Sequence, residues 1–277
     1  MSVSAPLVYL FGIVRAHVPP ECSTGVTTVG GAEFGPCRIL PQGCLSAVVS
    51  DLRLPEGETL ENFLRDPGRT EDTILHHHRM LAGMVSQSAV LPLRFGSVFS
   101  DDEGVRVELA KGHDAFLEEI NGVDGAVEWG LKVFCNQGRL GEKLSRERPE
   151  IAKFTAIISG ASEGKAFFLA RQLERLVDEE SDRAISRCLD HTKQRLEGIF
   201  QRFALGKIQP GRLHGHASEM VFNGAFLINW GREDAFFETV DDLRGAWSGF
   251  GFDYESTGPW PPYSFVQCNL HGGSNAA

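Results

Sequence analysis

No two cysteines in this chain are spaced Cys-x-x-Cys, no basic stripe runs along it, and no apolar stretch reaches the length of a membrane span. Each absence removes a class of function. The six cysteines (Cys22, Cys37, Cys44, Cys135, Cys188 and Cys268) are scattered and face no matching histidine pair. Cys22, Cys37 and Cys44 are the one set that invites zinc, and plain reduced thiols are the expected state. The formal net charge is −10, from 27 Lys and Arg against 37 Asp and Glu, and the densest cationic spot, Arg146-Glu147-Arg148, is interrupted. That sign argues against wrapping duplex nucleic acid or docking on an anionic membrane. The apolar run from Ala5 to Val14 is shorter than the roughly 20 residues of a spanning helix. No Lys or Arg precedes it and no small-residue cleavage site follows it. Neither insertion nor export is expected, and the cytoplasm is the expected compartment.

Catalytic signatures are also missing. Gly30-Gly31 lacks the Lys-Ser of a phosphate loop, no Gly-x-Gly-x-x-Gly joins a strand to a helix, and no Gly-x-Ser-x-Gly elbow follows a strand. His76-His77-His78 suggests a metal, but consecutive helical residues diverge by about 100°, so one packed ring and two solvated ones are expected. His214 and His216 alternate toward one side of a possible strand without a carboxylate or thiol to complete a site. Asp101-Asp102-Glu103 reads as the start of a helix. No catalytic residue, metal or cofactor is expected.

What the chain does contain is an ordinary globular composition, 42 % apolar and 23 % charged over 277 residues, enough for two domains with real cores. Residues 7–14 barely alternate and read as a strand buried on both faces. A Gly- and Pro-rich connection comes next, with a short strand near residues 37–40, and residues 45–50 form the next strand. Thr70 is the expected N-cap of a helix to about Ser88, with Ile74, Leu75, His78, Leu81 and Val85 as its apolar positions. Residues 90–99 read as a third strand, 104–120 as a helix and 126–135 as a fourth strand. The order resembles a split βαβ sandwich with helices on one side of an antiparallel sheet.

Residues 136–148 read as a polar link. Pro149 opens a short helix that Gly160 ends. Residues 164–205 read as one long helix, unbroken or slightly bent across the polar run 178–183, where Glu179 and Arg183 stand at i, i+4; a turn dividing two packed helices is the alternative. A strand or strand pair over 219–230, a helix over 233–248 and short terminal strands complete the chain. The expected fold is α+β in two domains: residues 1–137 as a modified ferredoxin-like sandwich, and residues 138–277 as a long helix (hairpin or coil) with a small α+β unit.

Two segments stand out. Leu91-Pro92-Leu93-Arg94-Phe95-Gly96 sets an arginine among apolar residues; if covered, Arg94 needs a partner, so an internal ion pair locking helix to sheet competes with an anchor for another protein. Gly258-Pro259-Trp260-Pro261-Pro262-Tyr263-Ser264-Phe265-Val266 combines three fixed φ angles with aromatic side chains. It reads as a stiff clamp holding Trp260 and Tyr263, with Tyr263 and Phe265 on one face of a strand. Arg94, Phe95, Trp260, Pro261, Pro262 and Tyr263 are therefore the candidate partner-binding or structural anchors.

These two motifs, together with residues 9–14, 45–50 and Asn223-Gly224-Ala225-Phe226-Leu227-Ile228, resemble the gas vesicle protein F and L family (GvpF/GvpL), in the family's order and over nearly the whole chain. Lys165-Ala166-Phe167-Phe168-Leu169 departs mildly from the family's aromatic-Leu pair, and nothing is carried over onto the less familiar Cys- and Gly-rich loop between Cys22 and Cys44. The resemblance implies a non-enzymatic accessory or minor structural protein of the gas vesicle, a protein-walled buoyancy organelle. It also implies partners, the major shell protein and other accessory proteins, and a ferredoxin-like first domain with a helical and α+β second one. The competing class is an enzyme or small-molecule binder on a ferredoxin-like sheet, for which Arg94, His78 and Glu128 are the groups to inspect. A module pairing through the long helix is a third.

Overall fold

The structure, a computed structural model, describes residues 6–16, 25–85, 87–209, 218–267 and 270. The chain divides into two compact units, Met1–Glu128 with Pro259–Ala277, and Trp129–Gly258. The terminal segment thus groups with the first unit, whereas the sequence placed it in the second domain.

The first unit is built on a seven-stranded antiparallel sheet. Strands β1 (Leu7–Arg15), β2 (Thr27–Val29), β3 (Ala32–Phe34), β4 (Arg38–Gln42), β5 (Leu45–Arg53), β6 (Val90–Pro92) and β7 (Val98–Phe99) take the order β2-β3-β5-β1-β6, with β4 on β5 and β7 on β1. The β1–β5 register shifts between Leu10 and Gly12, a bulge where one strand carries an extra residue. β1 is buried on both faces, as its lack of alternation requires. Tyr9 and Phe11 meet His77 of helix α2 (Pro67–Ala82), whereas Val8, Leu10 and Ile13 pack with Val105, Leu109, Phe116 and Ile120 of α3 (Asp102–Lys111) and α4 (His113–Asn121). Helices therefore cover both faces. The one-sided arrangement expected from a ferredoxin-like sandwich fails because a strand apolar on both sides needs two covers.

Other local expectations shift for identifiable reasons. A short helix, α1 (Leu60–Arg65), precedes α2, and Asp66 rather than Thr70 caps α2, accepting from the Arg69 N–H at 3.0 Å with Pro67 in the first turn. The buried stripe of α2 is Thr73, His77 and Leu81, leaving Ile74 and Leu75 more than 40 % exposed. The expected strand over 90–99 is two pieces, separated where Gly96 adopts φ +82°. The expected helix over 104–120 breaks at Gly112, where a Cβ would run into the Phe116 ring. Asp101 caps α3, accepting from the Gly104 N–H at 2.8 Å. The ion pair tying helix to sheet belongs to Arg38, which reaches Asp51 and Asp102 at 2.8 and 2.7 Å.

The second unit carries a four-stranded sheet in the order β11-β8-β10-β9, from β8 (Ala126–Cys135), β9 (Arg202–Leu205), β10 (Glu219–Asn229) and β11 (Phe252–Trp260). Helices α5 (Gln137–Glu147), α6 (Pro149–Ser159), α7 (Glu163–Leu196) and α8 (Glu233–Trp247) accompany it. The expected polar link is α5, capped by Asn136 and anchored by Leu140 and Leu144 alone. α7 is a single helix of 34 residues. It passes through the polar run because Glu180, only 7 % exposed, is held by Arg148 at 3.1 Å and by Arg183. It ends at Leu196 rather than near 205, since Gly198 turns at φ +80° and the chain becomes β9. The core gathers Leu131, Val133, Phe222, Phe226 and Ile228 of the sheet with Cys188, Phe236, Val240 and Leu243 of the helices.

Candidate functional site

The two singled-out segments meet within the first unit. They line a cleft of about 620 Å³ together with one face of α2: Ile74, His77 and His78 on the helix, Pro92 to Phe95 on one side, and Tyr263, Val266 and Gln267 on the other.

The terminal segment reaches this position by a turn. The strand that leads into it, β11, ends at Trp260, and Pro259 is accommodated because β11 is an edge strand. Pro261 and Pro262 cannot extend a ladder, so the chain folds back, with the Tyr263 N–H on the Pro261 carbonyl at 2.6 Å and the Phe265 N–H on that of Pro262 at 3.0 Å. The strand expected to start at Tyr263 is thus a turn: Phe265 is buried, and Tyr263 is 41 % exposed.

Glu128 clamps the turn. Its carboxylate accepts the Ser264 N–H and O–H, both at 2.8 Å. Burial raises the Glu128 pKa, and the two Ser264 bonds oppose that rise. The Gln267 N–H donates to Glu119 at 3.3 Å.

On the helix side the three histidines diverge, as helical geometry requires, but none is simply solvated. The His76 ring lies 4.6 Å from that of Phe34. The His78 ring lies 4.6 Å from that of Trp260 and stacks at 5.8 Å on Tyr263, whose hydroxyl is 3.4 Å from His78 Nδ1.

His77 is 4 % exposed, with Nδ1 3.0 Å from the Tyr9 hydroxyl, and the Gly96 N–H donates to that same oxygen at 3.3 Å. Because an amide can only donate, the Tyr9 proton is free to go to Nδ1, and in that arrangement the histidine proton sits on Nε2. No hydrogen bond of good geometry reaches Nε2 among the described residues. Burial lowers the His77 pKa to about 4 against the opposing pull of the Leu93 backbone, so the ring is a neutral donor.

Arg94 is exposed at this cleft, and no carboxylate pairs with it among the described residues. Phe95 is half-buried, its ring 6.4 Å from His77. Pro261 and Pro262 are buried, and Trp260 is half-buried. Of the six candidate anchors, Arg94, Phe95 and Tyr263 line the cleft, whereas Trp260 packs on the lining His78 and Pro261 and Pro262 are buried in the turn before Tyr263. Sequence reasoning missed the Tyr9–His77 pair, which no local pattern signals. The Ser264–Glu128 clamp had one visible sign, a carboxylate inside the apolar strand Val127-Glu128-Trp129. Cys37 and Cys44 are both partly exposed; Cys22, His214 and His216 lie outside the described residues.

The lining offers an aromatic and aliphatic wall, the Arg94 cation and the buried His77 ring. No helix among the described residues is long and apolar enough to cross a membrane.

Comparison with known proteins places the chain in a family. The family model described as gas vesicle synthesis protein GvpL/GvpF matches residues 7–267. Gas vesicle protein L of Streptomyces sp. (strain CB03234) is 33 % identical over 269 residues, 94 % of this chain and 92 % of that protein. Gas vesicle protein F of the same strain is 28 % identical over 265 residues, 94 % of this chain and 99 % of that protein. The crystal structure of GvpF from Anabaena sp. PCC7120 superposes with a TM-score of 0.66 at 16 % identity, covering 96 % of this chain and all of that one, so the α+β fold is shared. The chain belongs to the GvpL/GvpF family of gas vesicle proteins.

Proposed function

We propose that this protein is a non-enzymatic accessory or minor structural protein of gas vesicle assembly. It works in the cytoplasm and at the vesicle by binding the major shell protein and other accessory proteins. The observation that carries this reading is the meeting of two family-resembling motifs, around Arg94 and around Tyr263, in one half-open cleft whose wall is aromatic and aliphatic. Protein-binding surfaces combine such apolar contact area with a few polar or cationic anchors. An apolar, self-associating shell subunit needs an acidic, soluble partner that covers its surface until it is incorporated.

Two measurements test the proposal. Deleting the gene from a vesicle-forming host is expected to abolish or deform vesicles, and normal vesicles in the deletion would defeat it. Purified protein is expected to capture the shell protein from a co-expression lysate, and no capture would remove the partner assignment. One observation favours a second reading, a small-molecule binder on the same scaffold: the cleft volume falls in the range of ligand pockets.

A further inference from the structure

The cleft contains two donors without well-aligned acceptors. Arg94 has no carboxylate partner among the described residues and lies on a chain of net charge −10, where pairing would be easy to supply. His77 Nε2, the nitrogen left to carry the ring proton when the Tyr9 hydroxyl donates to Nδ1, is occluded from water, and its one neighbouring acceptor, the Leu93 backbone, meets it in poor alignment. A buried donor left unpaired is destabilising unless something else completes it. The two nearby carboxylates do not serve: Glu128 is taken by Ser264, and Glu119 accepts from the Gln267 backbone. The rest of the lining, Ile74, Leu93, Phe95, Tyr263 and Val266, is apolar or aromatic.

We infer that the cleft binds an extended apolar peptide segment that presents one acidic side chain, whose carboxylate is held by the Arg94 guanidinium and by the Nε2–H of His77. Arg94 meets the carboxylate at the surface, and its planar fork suits two parallel hydrogen bonds. His77 is reached when the Phe95 ring, half-buried and edge-on to the imidazole at 83°, turns aside, a side-chain change common on binding. The aliphatic wall of α2 and the Tyr263 ring take the flanking apolar residues. This inference deepens the protein-binding reading and rests on it.

The test uses the full chain and a panel of acetylated, amidated hexapeptides of Ala, Leu, Val and Ile, with one Glu moved through each position and Gln counterparts. At least one Glu peptide is expected to bind with Kd below about 1 mM, at least tenfold tighter than its Gln twin. Arg94→Gln, at an exposed position, is expected to lose that tenfold while leaving the melting temperature unchanged, and Arg94→Lys to recover part of it. Binding is expected to shift the Nε2 resonance of His77 in ¹⁵N spectra. The inference is overturned by no binding across the panel, by equal Glu and Gln affinities, by insensitivity to Arg94→Gln, by a silent His77, or by octanoate binding as tightly as the best peptide. The outcomes separate the two claims. Peptide binding without shell-protein capture retains the cleft and removes the functional reading; capture without peptide binding does the reverse.

Discussion

Trp260 and Tyr263 are neighbours in one motif, yet their surroundings assign them different work. Trp260 is half-buried against His78, whereas Tyr263 is 41 % exposed over the cleft. Trp260→Ala is therefore expected to destabilise the protein by about 2 kcal/mol, from lost apolar area and the gap left behind. Tyr263→Phe, which deletes only a long contact to His78, is expected to change stability by less than about 0.5 kcal/mol. Urea unfolding of both variants checks the contrast, and equal losses would merge the two roles. His77 gives a pH signature. Burial holds the folded ring neutral down to about pH 4, while the unfolded ring takes up a proton near its ordinary value of 6.5. Between these values the unfolded state binds more protons, so stability falls as pH falls. The neighbouring His76, lowered by burial and by Arg79, and His78, lowered by burial, push in the same direction. Between about pH 7.5 and about pH 5, wild type is expected to lose about 2 kcal/mol more than His77→Phe. Parallel pH profiles would show that the ring titrates normally.

At the scale of elements, β1 and α7 show where the sequence was legible and where it was not. The unalternating run 7–14 correctly announced a strand buried on both faces, but the helices on each face were out of view, because local periodicity does not say what lies opposite. Gly12 sits against backbone: an added Cβ would lie 2.8 Å from the Leu91 carbonyl oxygen and 3.0 Å from Leu81. Backbone cannot yield as a side-chain end can, so Gly12→Ala is expected to destabilise by about 2–3 kcal/mol, measured by the urea midpoint; an unchanged midpoint would show that the bulge relaxes. In α7 the continuous helix was readable from the absence of Gly and Pro across 178–183 and from the Glu179–Arg183 pair, which stands at 3.6 Å. Its end was misplaced because Phe200 and Phe203 keep helical spacing although they lie beyond the turn at Gly198. α5 was missed because only Leu140 and Leu144 mark its buried face. The cleft was half legible: both motifs were recognisable one at a time, but their meeting depends on a contact between residues far apart in the chain.

Across the whole molecule the cysteines sort by environment. Cys135 and Cys188 are buried, and burial is the first cause pushing each thiol to about 11; Cys44 is partly exposed. Brief maleimide treatment of native protein is expected to label Cys44 and spare Cys135 and Cys188 until denaturant is added, as read by peptide mass mapping. Native labelling of Cys188 would mean that its contacts with Thr192 and Tyr254 open readily. The terminal segment gives a larger effect. A chain ended after Gly258 loses buried Pro261, Pro262 and Phe265 and strips Glu128 of both donors. Amide exchange is then expected to rise in β1 and β5 while β10 stays protected; uniform acceleration would argue against two separately cooperative units.

Residues 259–277 group with a unit that starts at the other end of the chain, and this has a consequence for biosynthesis. Trp129–Gly258 is contiguous, so a nascent chain holds that whole unit as soon as it clears the ribosome. The other unit waits for the segment from Pro259 to Phe265 to be made before Ser264 can reach Glu128. A stop codon between Pro259 and Ser264 therefore yields a polypeptide whose earliest-made half is the half left unfinished.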